Sequence, residues 1–212
     1  MLDVTSAELT NGEGEGYQDR VLDIVVDILE TDGYEAVQLR EVARRARTSL
    51  STIYKRYANR DELILTALER WLEENRYAGL MGQTHCADES LHVGLMRVLR
   101  TIFGPWERHP GMLKAYFRVR TAPGGEKLIR RGFDAVVPAA MAVLADVDAD
   151  FVQALDTILS NVVYALLGRF ASGEIDITEI LPTLDRTVFW LTSGYQASRR
   201  SGRASAERRP VR

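Results

Sequence analysis

The segment that most constrains this chain is residues 38 to 63, QLREVARRARTSLSTIYKRYANRDEL. After a turn near Arg47, Ser49 can cap a short second helix by accepting a hydrogen bond from a backbone N–H. Ile53 and Tyr57 then face inward, one turn apart, and leave basic and hydroxyl side chains outside. The pattern predicts a helix-turn-helix that docks on DNA. The helix before the turn has apolar residues at i, i+3, i+4 and i+7, which form one stripe: Leu39, Val42, Ala43 and Ala46.

Charge is concentrated in the same place. Residues 38 to 60 carry seven basic side chains against one acid, a balance of +6 in a chain whose net charge is −3. Such a patch attracts phosphates, and the release of counterions makes binding weaken as salt rises. Charge alone leaves a second interpretation open, namely a solvated basic face on an ordinary helix pair.

Further landmarks surround the turn, and with them residues 17 to 63 resemble the DNA-binding domain of TetR-family transcriptional regulators. The landmarks are Gly33–Tyr34, Arg40–Glu41–Val42–Ala43, Thr52–Ile53–Tyr54, Tyr57 and Asn59–Arg60–Asp61–Glu62–Leu63. A weaker resemblance, carried by residues 33–38 and those that follow, is to actinobacterial regulators of sterol and lipid breakdown. The family resemblance implies phosphate contacts from Arg40, Thr52, Tyr54 and Arg60, and groove contacts from Leu50, Ser51, Lys55 and Arg56.

Some residues depart from the family pattern. Arg47 stands where the family usually has glycine, and Ser51 where it has glycine or alanine. Leu50 can offer a base edge only an apolar contact, for which a thymine methyl is the natural partner. Arg56 can pair with guanine O6 and N7, or it can simply contact a phosphate. These departures leave the fold intact and bear on the preferred operator.

Beyond this motif the chain predicts an all-α fold of about nine helices, with a helix-turn-helix domain followed by a larger helical domain. We expect a disordered arm at residues 1–16, the DNA-binding domain at 17–63, an effector-binding and dimerisation domain at 64–197, and a disordered basic tail at 198–212. Seven longer helices are predicted beside the two short ones of the motif. They cover residues 17–32, 59–78, 90–109, 110–120, 126–144, 148–171 and 176–194.

Other classes of protein receive little support from the composition. The single cysteine, Cys86, excludes an internal disulfide and a cysteine-based zinc site. The sequence shows no signal peptide and no run of about 18 apolar residues. We therefore expect a cytoplasmic protein without a membrane partner, a cofactor or a bound metal. A site built from His85, Cys86 and His92 lacks a fourth ligand, and no nucleophile and base pair suggests an enzyme.

The last two predicted helices are apolar over much of their circumference, so they must be covered on more than one side. We predict a two-fold, four-helix interface in a homodimer. Two recognition helices would then lie about 34–36 Å apart and read a palindromic operator in double-stranded DNA. The alternative is that the stripes are plain monomer core. The predicted interface residues are Phe151, Leu155, Leu159, Val163, Leu166, Leu184, Val188 and Leu191.

Large adaptable side chains in the middle helices can line a pocket for a small effector that is lipid-like, steroid-like or aromatic. Asn161 is singled out because a buried amide needs a hydrogen-bond partner. Six basic residues between positions 114 and 131 offer an anionic group such as an acyl-CoA a binding surface, or form a solvated face. Plain core packing is the alternative for the apolar set. The candidates are Phe103, Trp106, Met112, Tyr116, Phe117, Phe133, Met141, Asn161 and Tyr164.

Together these features predict a ligand-responsive, dimeric DNA-binding regulator. In the family, such a protein is a repressor that a small apolar or amphipathic effector releases from its operator. The alternative is a helical protein-interaction adaptor without sequence-specific DNA binding. An all-helical enzyme is a weaker third hypothesis.

Overall fold

The computed structural model describes residues 19–80, 88–122 and 124–207, with side chains up to Ser201. Over these residues the chain forms nine α-helices and no strand, which confirms the predicted all-α fold. The predicted arm at residues 1–16 lies outside the described part. The helices are α1 (residues 19–31), α2 (Leu39–Ala46), α3 (Leu50–Tyr54), α4 (Arg60–Leu72), α5 (Leu91–Arg108), α6 (Pro110–Val119), α7 (Glu126–Val143), α8 (Ala149–Ala171) and α9 (Ile180–Glu207).

Helix ends follow local capping chemistry. Asn59 caps α4, because its Oδ1 accepts a hydrogen bond from the Glu62 N–H at 2.8 Å. Asp148 caps α8 in the same way. A π-helical turn and a 3₁₀ turn carry α4 onward to Leu80, so the long fourth helix predicted to residue 78 is confirmed.

The predicted end of the last helix was wrong. Helix α9 passes through Gly194 and continues to Glu207, so residues 198–207, expected to start a disordered tail, are helical. The sequence RRSGRASAE contains three arginines, two alanines and one glutamate, residue types that favour helix. A single glycine inside a helix costs only about 1 kcal/mol and does not end it.

The chain divides into two compact units. The first comprises the residues up to Asn75 together with His109–Arg130; the second comprises Arg76–Arg108 together with the residues from Arg131 onward. The polypeptide therefore passes from one unit to the other three times. The first unit holds α6 as well as α1–α4. The domain boundary predicted after residue 63 would place α6 in the second domain, and that boundary stays a prediction.

Helix α6 lies directly against the end of α1. A Cβ atom built on Gly111 would come within 2.8 Å of the Glu30 Cα and of the Leu29 carbonyl oxygen, so only glycine allows this approach. The Met112 N–H donates to the Glu30 carboxylate at 3.1 Å. The His109 ring, just before α6, contacts the Trp71 ring edge to face at 5.6 Å between centroids. Helix α6 is thus fixed to both α1 and α4.

The second unit is built around α5, α8 and α9. Met96 and Ile102 of α5 are buried, as are Leu184 and Val188 of α9. A hydrogen bond of 2.5 Å between His92 Nε2 and Asp185 Oδ1 also joins α5 to α9. Helix α8 contributes four fully buried side chains to this core: Leu155, Leu166, Leu167 and Phe170.

Candidate nucleic-acid interface

The turn between α2 and α3 is a Schellman motif centred on Arg47. The Thr48 N–H donates to the Ala43 carbonyl at 3.0 Å, and the Arg47 N–H donates to the Arg44 carbonyl at 3.2 Å. This geometry requires the left-handed region, and Arg47 adopts φ 53° and ψ 47°. A side chain in that region costs about 1–2 kcal/mol relative to the right-handed one. The turn is therefore formed at a cost that glycine would avoid.

Ser49 starts α3 as predicted. Its Oγ accepts a hydrogen bond from the Thr52 N–H at 3.1 Å and lies 2.7 Å and 2.8 Å from the hydroxyls of Ser51 and Thr52. Ile53 and Tyr57 are buried, with 1% and 4% of their surface exposed. The inward face of α3 is therefore fixed, and its opposite face is left to solvent.

The predicted groove residues lie together on that outward face or directly after it. Ser51, Lys55 and Arg56 are exposed, and Leu50 is half-buried. Of the predicted phosphate contacts, Tyr54 is 53% exposed, whereas Thr52 is half-buried and its hydroxyl contacts Ser49. This surface can offer hydroxyl, ammonium, guanidinium and apolar groups to a duplex.

Not every cation of the basic patch is available to phosphate. Arg44 binds the Glu41 carboxylate through two hydrogen bonds of 2.6 Å and 2.8 Å. Arg45 binds the same carboxylate at 2.7 Å, and its other nitrogens reach Asp32 at 3.0 Å and Asp27 at 3.3 Å on the α1 side. Hydrogen bonds from Arg44 and Arg45 lower the pKa of Glu41 to about 2. Arg45 therefore ties α2 to the α1 side, whereas the pair of Arg44 with Glu41 lies within α2.

Arg60, predicted to contact phosphate, is held by the protein itself. Its guanidinium donates to the Val37 carbonyl at 2.5 Å and to the Tyr34 carbonyl. The guanidinium carbon lies 4.5 Å from the centre of the Tyr34 ring, and that of Arg118 lies 4.7 Å from it. Burial of the hydroxyl, followed by the nearby Asp61 carboxylate, raises the pKa of Tyr34. Arg60 thus links α4 to the turn before α2.

Three of the exposed cations of the patch differ from these: Arg40, Arg47 and Lys55. None of them makes an ion pair or a side-chain hydrogen bond with a residue in the described ranges. Arg40 is exposed on α2, and Lys55 directly follows α3. The positive charge left for an external partner is therefore concentrated at the turn and at the recognition helix.

The predicted effector-binding residues are divided between the two units. Met112, Tyr116 and Phe117 belong to the first unit, and the other six belong to the second. Phe103, Trp106, Met112 and Tyr116 are buried, whereas Phe133, Met141 and Tyr164 are 57%, 49% and 55% exposed. The side chain of Asn161 is exposed, and its amide donates to the Thr157 carbonyl at 2.7 Å, so it has a hydrogen-bond partner within its own helix.

A cleft of about 720 Å³ lies in the second unit, where the loop before α8 meets the end of α9. Phe151 stacks on Tyr195 there, with ring centroids 4.1 Å apart. None of the predicted effector residues lines this cleft. The described residues contain no group of three or more histidine, cysteine or acidic side chains placed to hold a metal. His85 and Cys86 lie outside the described residues.

The predicted interface residues divide into two classes. Leu155, Leu166, Leu184 and Val188 are buried inside the chain. Phe151, Leu159, Val163 and Leu191 are half-buried. The large apolar side chains that α8 and α9 expose are different ones, which the periodicity of the stripes did not single out as interface: Ile158, Tyr164, Phe189 and Trp190.

Helix α8 is unusually apolar for its exposure. It is 23 residues long, its most apolar stretch has a mean hydropathy of 1.4, and 17% of that stretch is buried inside the chain. By length and composition it is one helix that could cross a membrane, which is weak evidence because core helices pass the same test. Helix α8 is thus an apolar helix that the rest of the described chain leaves largely uncovered.

Two family models match this chain. The family model described as "Bacterial regulatory proteins, tetR family" matches residues 22–67. The model described as "Tetracyclin repressor-like, C-terminal domain" matches residues 89–191. The chain belongs to the TetR family. The predicted family is confirmed, and with it a regulatory rather than an enzymatic class of protein.

Three relatives of this TetR-family chain are named HTH-type transcriptional repressor KstR. Those of Mycolicibacterium smegmatis and Rhodococcus jostii are 34% and 33% identical over 70 and 66 residues, which are 33% and 31% of this chain. That of Mycobacterium tuberculosis is 41% identical over 51 residues, 24% of this chain. The matches span 34%, 31% and 23% of the relatives' own lengths, about a third or less.

Most of the fold has a solved counterpart. A TetR-like transcriptional regulator from Rhodococcus sp. RHA1 superposes with a TM-score of 0.57 over 82% of this chain and 93% of that chain. The two sequences are 18% identical, so the likeness concerns the fold alone.

Proposed function

We propose that this TetR-family chain is a cytoplasmic transcriptional repressor that binds a palindromic operator in double-stranded DNA as a homodimer. A small apolar or amphipathic effector releases it. The observation that carries the proposal is the outward face of α3, where Ser51, Tyr54 and Lys55 are exposed. The adjoining turn residue, Arg47, is also exposed and makes no ion pair or side-chain hydrogen bond with a residue of the described ranges. If this face packed against the chain's own core, these side chains would be buried.

On DNA, the exposed face of α3 would enter the major groove while the turn and α2 contact the backbone. Arg40, Thr52 and Tyr54 supply the proposed phosphate contacts. Leu50, Ser51, Lys55 and Arg56 supply the groove contacts, with Leu50 suited to a thymine methyl. Arg60 contributes indirectly, since it fixes the turn from which α2 starts.

The dimer is proposed from the uncovered faces of α8 and α9. Ile158, Tyr164, Phe189 and Trp190 form apolar surface that a second copy would cover. Half-buried residues at the edge of these helices, such as Leu159 and Val163, would complete the contact. A membrane partner is less suitable, because Asp156 and Asn161 are exposed on α8 and would be costly in hydrocarbon.

Effector release requires a route from the second unit to the reading head, and α6 supplies one. It follows α5 in the chain after a single residue, His109. Helix α6 is in turn fixed to the end of α1 through Gly111 and Met112. Buried Phe103 and Trp106 of α5 stay candidates for the effector site, and their apolar character suits a lipid-like, steroid-like or aromatic compound. The basic residues between positions 114 and 131 are the candidates for the anionic group of an acyl-CoA.

The decisive experiment is selection of duplexes from a random pool, followed by affinity measurements on the enriched sequence. We expect inverted repeats with half-sites one helical turn apart. Lys55→Ala should weaken binding and reduce its salt dependence. Arg44→Ala is the matched control, because Arg44 is exposed on α2 but is already paired with Glu41.

Recovery of sequence-blind fragments, or equal affinity for Lys55→Ala and the unaltered chain, would leave the adaptor hypothesis as the better one. Arg60→Ala is unsuited to this experiment, since loss of its contacts with the carbonyls of Tyr34 and Val37 would disturb the domain itself.

A further inference from the structure

The backbone at Arg47 is exceptional within this chain. Four described residues have positive φ, and three of them are glycines: Gly33, Gly124 and Gly173. Arg47 is the fourth, with φ 53°. Wherever else the described chain needs this conformation, it uses the residue that adopts it without strain. An arginine is retained at the one place where the turn adjoins the recognition helix.

No contact among the described residues explains an arginine at position 47. It is exposed, and no described residue forms an ion pair or hydrogen bond with it. Its neighbours on α2 behave differently, since Arg44 and Arg45 both bind Glu41. Strained backbone that brings no internal contact often serves an external one.

We propose that Arg47 binds a phosphate of the DNA backbone next to the amino end of α3. The proposal rests on the proposed DNA binding and adds to it a contact that the family resemblance did not supply. Arg47 lies two residues before Ser49, the residue that caps α3, so its guanidinium leaves the protein where the helix would approach the duplex. Arginine is suited to this role because its planar fork matches phosphate geometry.

The test is Arg47→Gly, for which stability and DNA binding should change in opposite directions. The melting temperature should rise by about 2 °C or more, because glycine relieves the left-handed strain. The affinity for the selected operator should fall roughly tenfold at moderate salt. For a dimer, the slope of log affinity against log salt should become shallower by about two, one phosphate contact being lost in each protomer.

Arg47→Lys is the conservative variant. It keeps the charge and the strain, and should therefore restore most of the affinity and the slope without the gain in melting temperature. Arg44→Gln is the matched control: it also removes one positive charge from α2, yet the salt slope should change little because Arg44 is paired with Glu41.

Several results would overturn the assignment. Equal affinity and slope for Arg47→Gly and the unaltered chain would mean that the arginine is merely tolerated. A loss confined to one base pair of the operator would assign Arg47 to base reading instead of phosphate binding. If the unaltered chain bound no duplex at low salt, the proposed function would fail and this contact with it, an outcome distinct from the other two.

Discussion

At the scale of single residues, the ion pairs of α2 make the stability of the first unit depend on pH. Hydrogen bonds from Arg44 and Arg45 lower the pKa of Glu41 from 4.5 to about 2. The folded chain therefore holds Glu41 ionised where the unfolded chain takes up a proton. This contribution is fully present above the unfolded pKa and is lost as pH falls through the folded pKa.

We expect the urea midpoint of the unaltered chain to fall between about pH 5 and pH 2 more than that of Glu41→Gln, so that the two converge at the acidic end. Because the pair is exposed, 1 M salt should reduce the difference. Glu126→Gln, at an exposed acid that makes no ion pair within the described residues, is the control and should follow the unaltered chain. Parallel pH profiles for the unaltered chain and Glu41→Gln would contradict the prediction.

In the site, local signals determine the orientation of α3, whereas contacts between distant positions determine which cations are free. The exposed face of α3 could be predicted, because Ser49, Ile53 and Tyr57 fix the helix and its orientation by local rules. The binding of Arg60 to the carbonyls of Tyr34 and Val37 could not, since these partners are 26 and 23 positions away. The count of cations in the motif therefore exceeded the number free to contact DNA.

At the scale of elements, helix starts were more predictable than helix ends. Asn59 and Asp148 lie before α4 and α8 with side chains that accept from the first turn, which is a signal within three residues. Helix α9 was predicted to end at Gly194 and does not, because the cost of one glycine is smaller than the gain from the residues on either side. The clustering of α6 with α1–α4 left no local signal, since it depends on contacts between distant positions, such as the close approach of Gly111 to Glu30 and the packing of His109 on Trp71.

That approach is open to a direct test. Gly111→Ala would place a methyl group 2.8 Å from the Glu30 Cα and the Leu29 oxygen, both of which are backbone atoms that cannot rotate away. We expect a loss of about 1–3 kcal/mol in the free energy of unfolding, measured by urea denaturation. Gly104→Ala in α5 is the matched control.

The nearest atom to a methyl group at Gly104 is Arg108 Nη1 at 3.7 Å, an ordinary contact. That variant should therefore be stabilised, by up to about 1 kcal/mol, through helix propensity alone. If Gly111→Ala were as stable as Gly104→Ala, the fixed junction between α6 and α1 would not exist as described, and the proposed route for effector release would lose its support.

At the scale of the whole molecule, an apolar stripe does not reveal what covers it. Leu184 and Val188 have the same 3.6-residue periodicity as an interface would, but they are buried by the chain itself. Trp190 is a more specific indication of an interface. It is 68% exposed, and exposed tryptophans are uncommon outside binding surfaces. Sequence periodicity identified the helices of the proposed dimer, and only the folded chain shows which faces remain uncovered.

The dimer proposal is tested by Trp190→Glu, which places a charge in the middle of the uncovered face of α9. We expect sedimentation at micromolar concentration to give a dimer for the unaltered chain and a monomer for the variant. Affinity for the full palindrome should then fall by a factor of about 100 or more, towards that of a single half-site, because the two reading heads no longer bind as one unit.

Phe133→Glu is the matched control, since Phe133 is a 57% exposed aromatic on α7, outside the proposed interface. It should leave the chain dimeric with its DNA affinity unchanged. A monomeric Phe133→Glu beside a dimeric Trp190→Glu would move the interface from α9 to the exposed stripe of α7, where Val137 and Met141 follow Phe133 at intervals of one turn. The spacing of the two reading heads would then have to be derived from α7 instead.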